Sequence, residues 1–91
     1  MVTEQQKIMR NRLYVGNLSY NADKRALQDA FAEVGAITDV HIVLDRAWGR
    51  SRGFAFVTMV SAELAEQAVS RLNGAELDGR ALRVRVAPER S

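Results

Sequence analysis

Eight consecutive residues, Arg52-Gly53-Phe54-Ala55-Phe56-Val57-Thr58-Met59, constrain this chain more than any other stretch. Aromatic and small residues alternate there with a period of two, the repeat of a strand and not of a helix. Successive side chains of a strand leave opposite faces, so Arg52, Phe54, Phe56 and Thr58 share one side and Gly53, Ala55, Val57 and Met59 the other. The second side is wholly apolar and suits a core. The first sets two phenylalanines between an arginine and a threonine, a mixture suited to a wet surface on which bases stack. A continuous apolar run at residues 54–57 is equally how a strand buried on both faces reads, and the octamer alone leaves both readings open.

A second stretch favours the open surface. Arg12-Leu13-Tyr14-Val15-Gly16-Asn17-Leu18 also reads as a strand, with Leu13 and Val15 on one side and Tyr14 and Gly16 on the other. If Leu13 and Val15 face the core and the two strands pair, Tyr14 emerges beside Phe54 and Phe56.

The remaining elements follow in order. Asp23 is placed to cap a helix carrying Leu27, Ala30, Phe31 and Val34 at spacings of three and four, with Gly35 as its stop. A strand is expected at about residues 36–44, built on Ile37, Val40 and Ile42, its start blurred by Thr38-Asp39. His41 and Val43 then point to the aromatic side. Residues 45–51 form a basic connection with Trp48 at its middle. Ser61 caps a second helix with Leu64, Ala65, Ala68, Val69 and Leu72 on its apolar face, and Asn73-Gly74 closes it. Leu77-Asp78-Gly79-Arg80 carries an Asp-Gly turn signal. A last strand is expected over residues 81–87, with Leu82, Val84 and Val86 inward and Arg83 and Arg85 outward.

Strand, helix, strand, strand, helix, strand is the ferredoxin-like βαββαβ order of an α+β fold. Right-handed crossovers put both helices on one face of a four-stranded antiparallel sheet, with the first and third strands central and the other face open.

Composition narrows the function. Ninety-one residues make one domain: a loose N-terminal tail at 1–11, a folded unit at 12–87 and a short tail at 88–91. No run of 18 apolar residues could span a membrane, and the polar start (Glu4, Gln5, Gln6, Lys7) points to an intracellular setting. The absence of cysteine excludes disulfides and thiolate metal sites, and the one histidine, His41, is too few for a histidine-based site. Nothing resembles a nucleophile–base pair or a phosphate-cradling glycine loop, so no enzyme, metal or cofactor is expected. The net charge of +2 is small, but its distribution is uneven. Positions 46–58 hold Arg46, Arg50 and Arg52 with no acid, and positions 79–87 hold Arg80, Arg83 and Arg85 with none, whereas Asp23, Asp29, Glu33, Glu63 and Glu66 fall in the helical segments. Arginine both forks onto phosphate and stacks on bases.

The two strand motifs resemble the shorter and longer signatures of the RNA recognition motif family, the longer being basic, Gly, aromatic, Gly or Ala, aromatic, aliphatic, any, aromatic. Leu72-Asn73-Gly74 and Leu77-Asp78-Gly79-Arg80 fit the same family, and the likeness covers about residues 12–87, closest to single-domain glycine-rich and organellar RNA-binding proteins. Met59 stands where the family usually has an aromatic; by parity it lies on the core side, where methionine fills irregular gaps.

The resemblance implies that Tyr14 and Phe56 stack two successive bases, that Phe54 packs against the sugars between them, and that Arg52 meets phosphate. Arg83 and Arg85 are expected to reach phosphate or base edges. Base choice is expected from His41, Val43 and the main chain near Ala87 and Pro88, with Arg50 and Trp48 as further contacts from the basic connection. Asn17 is expected to anchor the turn after its strand. The expected partner is single-stranded RNA, in post-transcriptional processing or regulation. Single-stranded DNA is a second expected ligand, because stacking needs no 2′-hydroxyl. The chain is expected to be a monomer without a membrane or small-molecule partner, its helical face left for proteins. Two other readings stay open: a protein-interaction module on the same fold, and a small acylphosphatase-like enzyme, which would need an arginine-bearing anion loop that residues 16–20 do not offer.

Overall fold

The structure, a computed structural model, describes residues 10–18, 23–43 and 53–87. The elements are β1 (Arg12–Leu18), α1 (Lys24–Ala32), β2 (Ile37–Val43), β3 (Gly53–Met59), α2 (Ala62–Leu72), a two-stranded hairpin of β4 (Glu76–Leu77) and β5 (Arg80–Ala81), and β6 (Arg83–Val86). The main sheet runs β2-β3-β1-β6, with each of its pairings antiparallel, so the first and third strands are central as their connections require.

Both helices start where a side-chain oxygen takes up a free backbone N–H. Asp23 Oδ1 accepts from the Ala26 amide at 2.9 Å, and Ser61 Oγ accepts from the Leu64 amide at 3.2 Å. Leu27 and Phe31 of α1 and Ala65 and Ala68 of α2 are buried with Leu13, Val15, Val57 and Met59 of the central strands, Val40 and Val84 of the outer ones, and Leu82 just before β6. Met59 is completely buried, as its parity requires.

Gly35 has a different role from the one expected. It does not adopt a left-handed backbone; instead the Leu64 side chain packs directly on it, and an added Cβ would lie 2.6 Å from Leu64 Cδ2. The glycine brings the exit of α1 against the first turn of α2.

Three strand details depart from a simple alternation. Asn17 has φ of 62°, and the register between β1 and β3 shifts between Val15 and Leu18. This bulge reverses parity, turning Asn17 outward and returning Leu18 to the core, where it is 1% exposed. A second shift falls between Ile37 and Asp39, the ambiguous start of β2, where the Thr38 hydroxyl donates to the Thr58 carbonyl at 3.2 Å. The last strand is shorter than expected. Arg80 and Ala81 belong to the hairpin, whose turn residues Asp78 and Gly79 have φ of 57° and 84°, the left-handed pair of a type I′ turn.

Leu82 separates the hairpin from β6, its amide donating to Ala75 O and its carbonyl accepting from the Gly74 amide. Alongside, Asn73 Oδ1 accepts from the Val84 amide at 3.0 Å. At the other end, Asn11 is tied to β3 and not loose: its side chain donates to Met59 O at 2.9 Å and its carbonyl accepts from the Met59 amide. The tails expected at residues 1–9 and 88–91 lie outside the described residues.

Candidate nucleic-acid interface

On the sheet side away from the helices, strand register lays the functional side chains out in lines across the strands. Arg85 pairs with Tyr14, Tyr14 with Phe56 and Phe56 with His41, one residue from each of β6, β1, β3 and β2. Arg83 opposite Gly16 and Val43 opposite Phe54 lie on one side of that line, and Arg12 opposite Thr58 and Thr58 opposite Asp39 on the other. Of the residues expected at the site, Tyr14, Phe54, Phe56, His41, Val43, Arg83 and Arg85 are thus brought to one surface. Arg50, Arg52 and Trp48 lie outside the described residues.

The three rings form one cluster. Tyr14 and Phe54 are 5.6 Å apart between centroids and tilted by 30°, Phe54 and Phe56 are 5.7 Å apart at 89°, and Tyr14 and Phe56 are 6.2 Å apart at 66°. Edge-to-face pairs at such spacings hold one another in place. Each ring remains half-buried, while Ala55 and Val57 between and beyond the phenylalanines are fully buried.

The pose of Tyr14 depends on Gly16. A Cβ added at Gly16 would lie 2.8 Å from the tyrosine hydroxyl oxygen and 2.9 Å from a ring carbon. The ring therefore lies over the glycine along its own strand, a position any side chain at 16 would take from it.

Cations flank the rings. Arg12, Arg83 and Arg85 are all exposed on this side, facing one described acid, Asp39. The Arg85 guanidinium carbon lies 5.1 Å from the Tyr14 centroid and that of Arg12 4.1 Å from the Phe56 centroid, both within cation–π range. Beside Tyr14 is a cleft lined by Arg83, Arg85, Asn17, Asn73 and Gly74. The opposite surface of the molecule carries Asp29, Glu33, Glu63 and Glu66, all exposed on the helices. Lys24, Arg25 and Arg71 are exposed on the same helices, so that surface carries both signs of charge.

Arg12 was not among the expected site residues. Its parity with Tyr14 was readable, but its contact with Phe56 is diagonal across two strands and depends on register. Asn17 anchors something more distant than its own turn: Nδ2 donates to Ala81 O at 2.7 Å and Oδ1 accepts from the Arg80 guanidinium at 2.8 Å, fixing the hairpin against β1. Ala87 lies at the sheet end with a buried side chain, and its amide donates to Arg12 O at 2.8 Å. That N–H cannot serve a ligand without opening the sheet. Among the described residues no group of three metal-ligating side chains occurs, and no helix is long and apolar enough to cross a membrane.

Comparison with known proteins shows the family. The family model described as RNA recognition motif matches residues 13–83. A chloroplastic 31 kDa ribonucleoprotein of Nicotiana plumbaginifolia is 52% identical over 80 residues, covering 88% of this chain and 27% of its own length. The mitochondrial glycine-rich RNA-binding protein 3 of Arabidopsis thaliana is 41% identical over 81 residues, covering 89% of this chain and 26% of its own. The chain thus spans about a quarter of the length of these curated relatives, both of which are organellar. Among solved structures, the Rna15 RNA recognition motif with bound RNA (GU) superposes with a TM-score of 0.75 at 28% identity, covering 87% of this chain and 84% of that one. The sex-lethal protein–RNA complex does so with a TM-score of 0.76 at 36% identity, covering 86% and 48%.

Proposed function

The chain belongs to the RNA recognition motif family, a family of non-enzymatic binding modules, and we propose that it binds single-stranded RNA across the open side of its sheet. The observation that carries this reading is the cluster of three half-buried rings, 5.6–6.2 Å apart, set among exposed arginines. Successive bases stack on Tyr14 and Phe56, and Phe54 supports the sugars between them. Each stack contributes on the order of 1–3 kcal/mol and tolerates any base. Arg83 and Arg85 meet phosphates or base edges along the cleft beside Tyr14, while His41 and Val43 at the β2 edge, with the main-chain carbonyl of Ala87, bias the choice of base. Arg52, Arg50 and Trp48 belong to the same proposal on sequence grounds. The module serves post-transcriptional RNA processing or regulation, as a monomer, and accepts single-stranded DNA through the same stacking.

The test is binding of a random-sequence pool of RNA decamers, followed by fluorescence anisotropy at two salt concentrations, for the wild type and Phe56→Ala. The wild type should bind more weakly at high salt, because each neutralised phosphate adds about 0.7 to the logarithmic salt slope. Phe56→Ala should lose roughly 5- to 150-fold in affinity, the equivalent of one stack. A folded wild type that ignores the pool would instead support the protein-interaction reading.

A further inference from the structure

The guanidinium of Arg12 rests on the Phe56 ring, its central carbon 4.1 Å from the ring centroid. This is the ring that the proposed function assigns to a base. Arg12 and Phe56 reach each other diagonally: Arg12 pairs with Thr58 and Tyr14 with Phe56, all four on the open side. Arg12 is exposed, so its side chain covers the ring from the solvent, which is where a nucleotide arrives. A base and this guanidinium cannot both touch that face of the ring.

Relative magnitudes decide the competition. An exposed cation–π contact is weaker than a base stacked on an aromatic side chain, so the base takes the ring. The displaced guanidinium is planar, and guanidinium planes themselves stack on bases. To lie on the outer face of an inserted base it needs to rise by roughly 3.5 Å, one layer of carbon contact, which a long flexible stem at the solvent boundary allows.

The geometry points to Arg12 as a clamp: in the free protein it occupies the Phe56 ring, and on RNA binding it lifts and closes over the base stacked there, which is held between ring and guanidinium. This role rests on the RNA-binding reading and adds to it a contact made by shape as well as charge. Arg85, 5.1 Å from the Tyr14 centroid, approaches its ring less closely. Arg12 also starts β1, whose main chain is fixed on both sides by β3 and β6, so its stem is held firmly while its head is free to move.

Five proteins separate the possibilities, each titrated with the RNA decamer pool after circular dichroism confirms its fold: wild type, Arg12→Ala, Arg12→Lys, Phe56→Ala and the double variant Arg12→Ala/Phe56→Ala. The clamp predicts that Arg12→Ala weakens binding roughly 5-fold. Arg12→Lys, which keeps the charge and loses the plane, should weaken it about as much. In the Phe56→Ala background, removing Arg12 should cost little more, since ring and guanidinium hold the same base. Wild-type affinity in Arg12→Lys would reduce Arg12 to a phosphate contact and overturn the clamp, as would unchanged or tighter binding by Arg12→Ala, or full additivity in the double variant. Each of these outcomes leaves RNA binding standing. Failure of the wild type to bind the pool overturns both readings together.

Discussion

The two sides of the sheet invert the usual distribution of bulk. Toward the helices, β3 presents Gly53, Ala55, Val57 and Met59, mostly small and all buried; toward solvent it presents Phe54 and Phe56, which with Tyr14 remain half-buried. A strand selected for stability alone would place its largest rings inside, where each would remove the most apolar area from water. The inner side is closed by Leu27, Phe31, Ala65 and Ala68 from the helices, so packing accounts for every residue there. Among the described residues the outer rings touch one another, Gly16 and two guanidiniums, with no helix over them. One side of the sheet holds the fold together, and the other carries the rings on which the proposed stacking rests.

That division is broken most sharply from the inside. Phe31 is fully buried at the centre of the core. Phe31→Ala should cost about 3–5 kcal/mol of unfolding free energy by urea denaturation, a large part of the stability of a domain this size. A loss below about 1 kcal/mol would mean that the core does not close around that ring.

Gly16 sharpens the comparison from the other side. It is the open-side position over which Tyr14 lies. Gly16→Val should lower RNA affinity by about 1–3 kcal/mol, one stack, by displacing the tyrosine ring, while a β-branched residue in a central strand leaves the unfolding midpoint nearly unchanged. If denaturation reveals a loss of stability as large as the loss of affinity, the two sides are coupled and the division fails.

The smallest effect belongs to the hairpin. Asn17→Ala removes the side-chain bonds to Ala81 and Arg80 and places alanine at a φ of 62°. It should cost about 1 kcal/mol and speed amide exchange in residues 76–81 ahead of the rest of the sheet. Exchange that rises evenly over the whole sheet would show that the hairpin is not held separately.

What the sequence revealed, and what it withheld, follows from the range of each interaction. Side-chain parity is local, so the placement of Tyr14, Phe54, Phe56 and Met59 is readable from the order of residues in each strand. The same holds for both helix caps, because Asp23 and Ser61 act on amides three residues away. The bulge at Asn17 was not readable, because its outward turn is stabilised by partners 63 and 64 residues along the chain. The break before β6 was hidden for a similar reason: residues 81–86 alternate without interruption, and only the bonds of Leu82 to Gly74 and Ala75 detach the hairpin. Arg12 is the clearest case. Its residue type and parity were visible, but the ring it covers is set by the register of two strands more than 40 residues apart in the chain, since Arg12 pairs with Thr58.

Asn73 bears on a different hazard. Outer strands of an open sheet carry unpaired amides that invite a neighbouring molecule to dock edge to edge and nucleate a fibre. Because the exit of α2 folds back so that Asn73 takes up the Val84 amide and Gly74 and Ala75 bond Leu82, the β6 flank presents a side chain and a bend where an intruding strand would need a straight ladder. The amides of Leu82 and Val84 on this margin are thus taken up within the molecule and offer nothing to a docking strand.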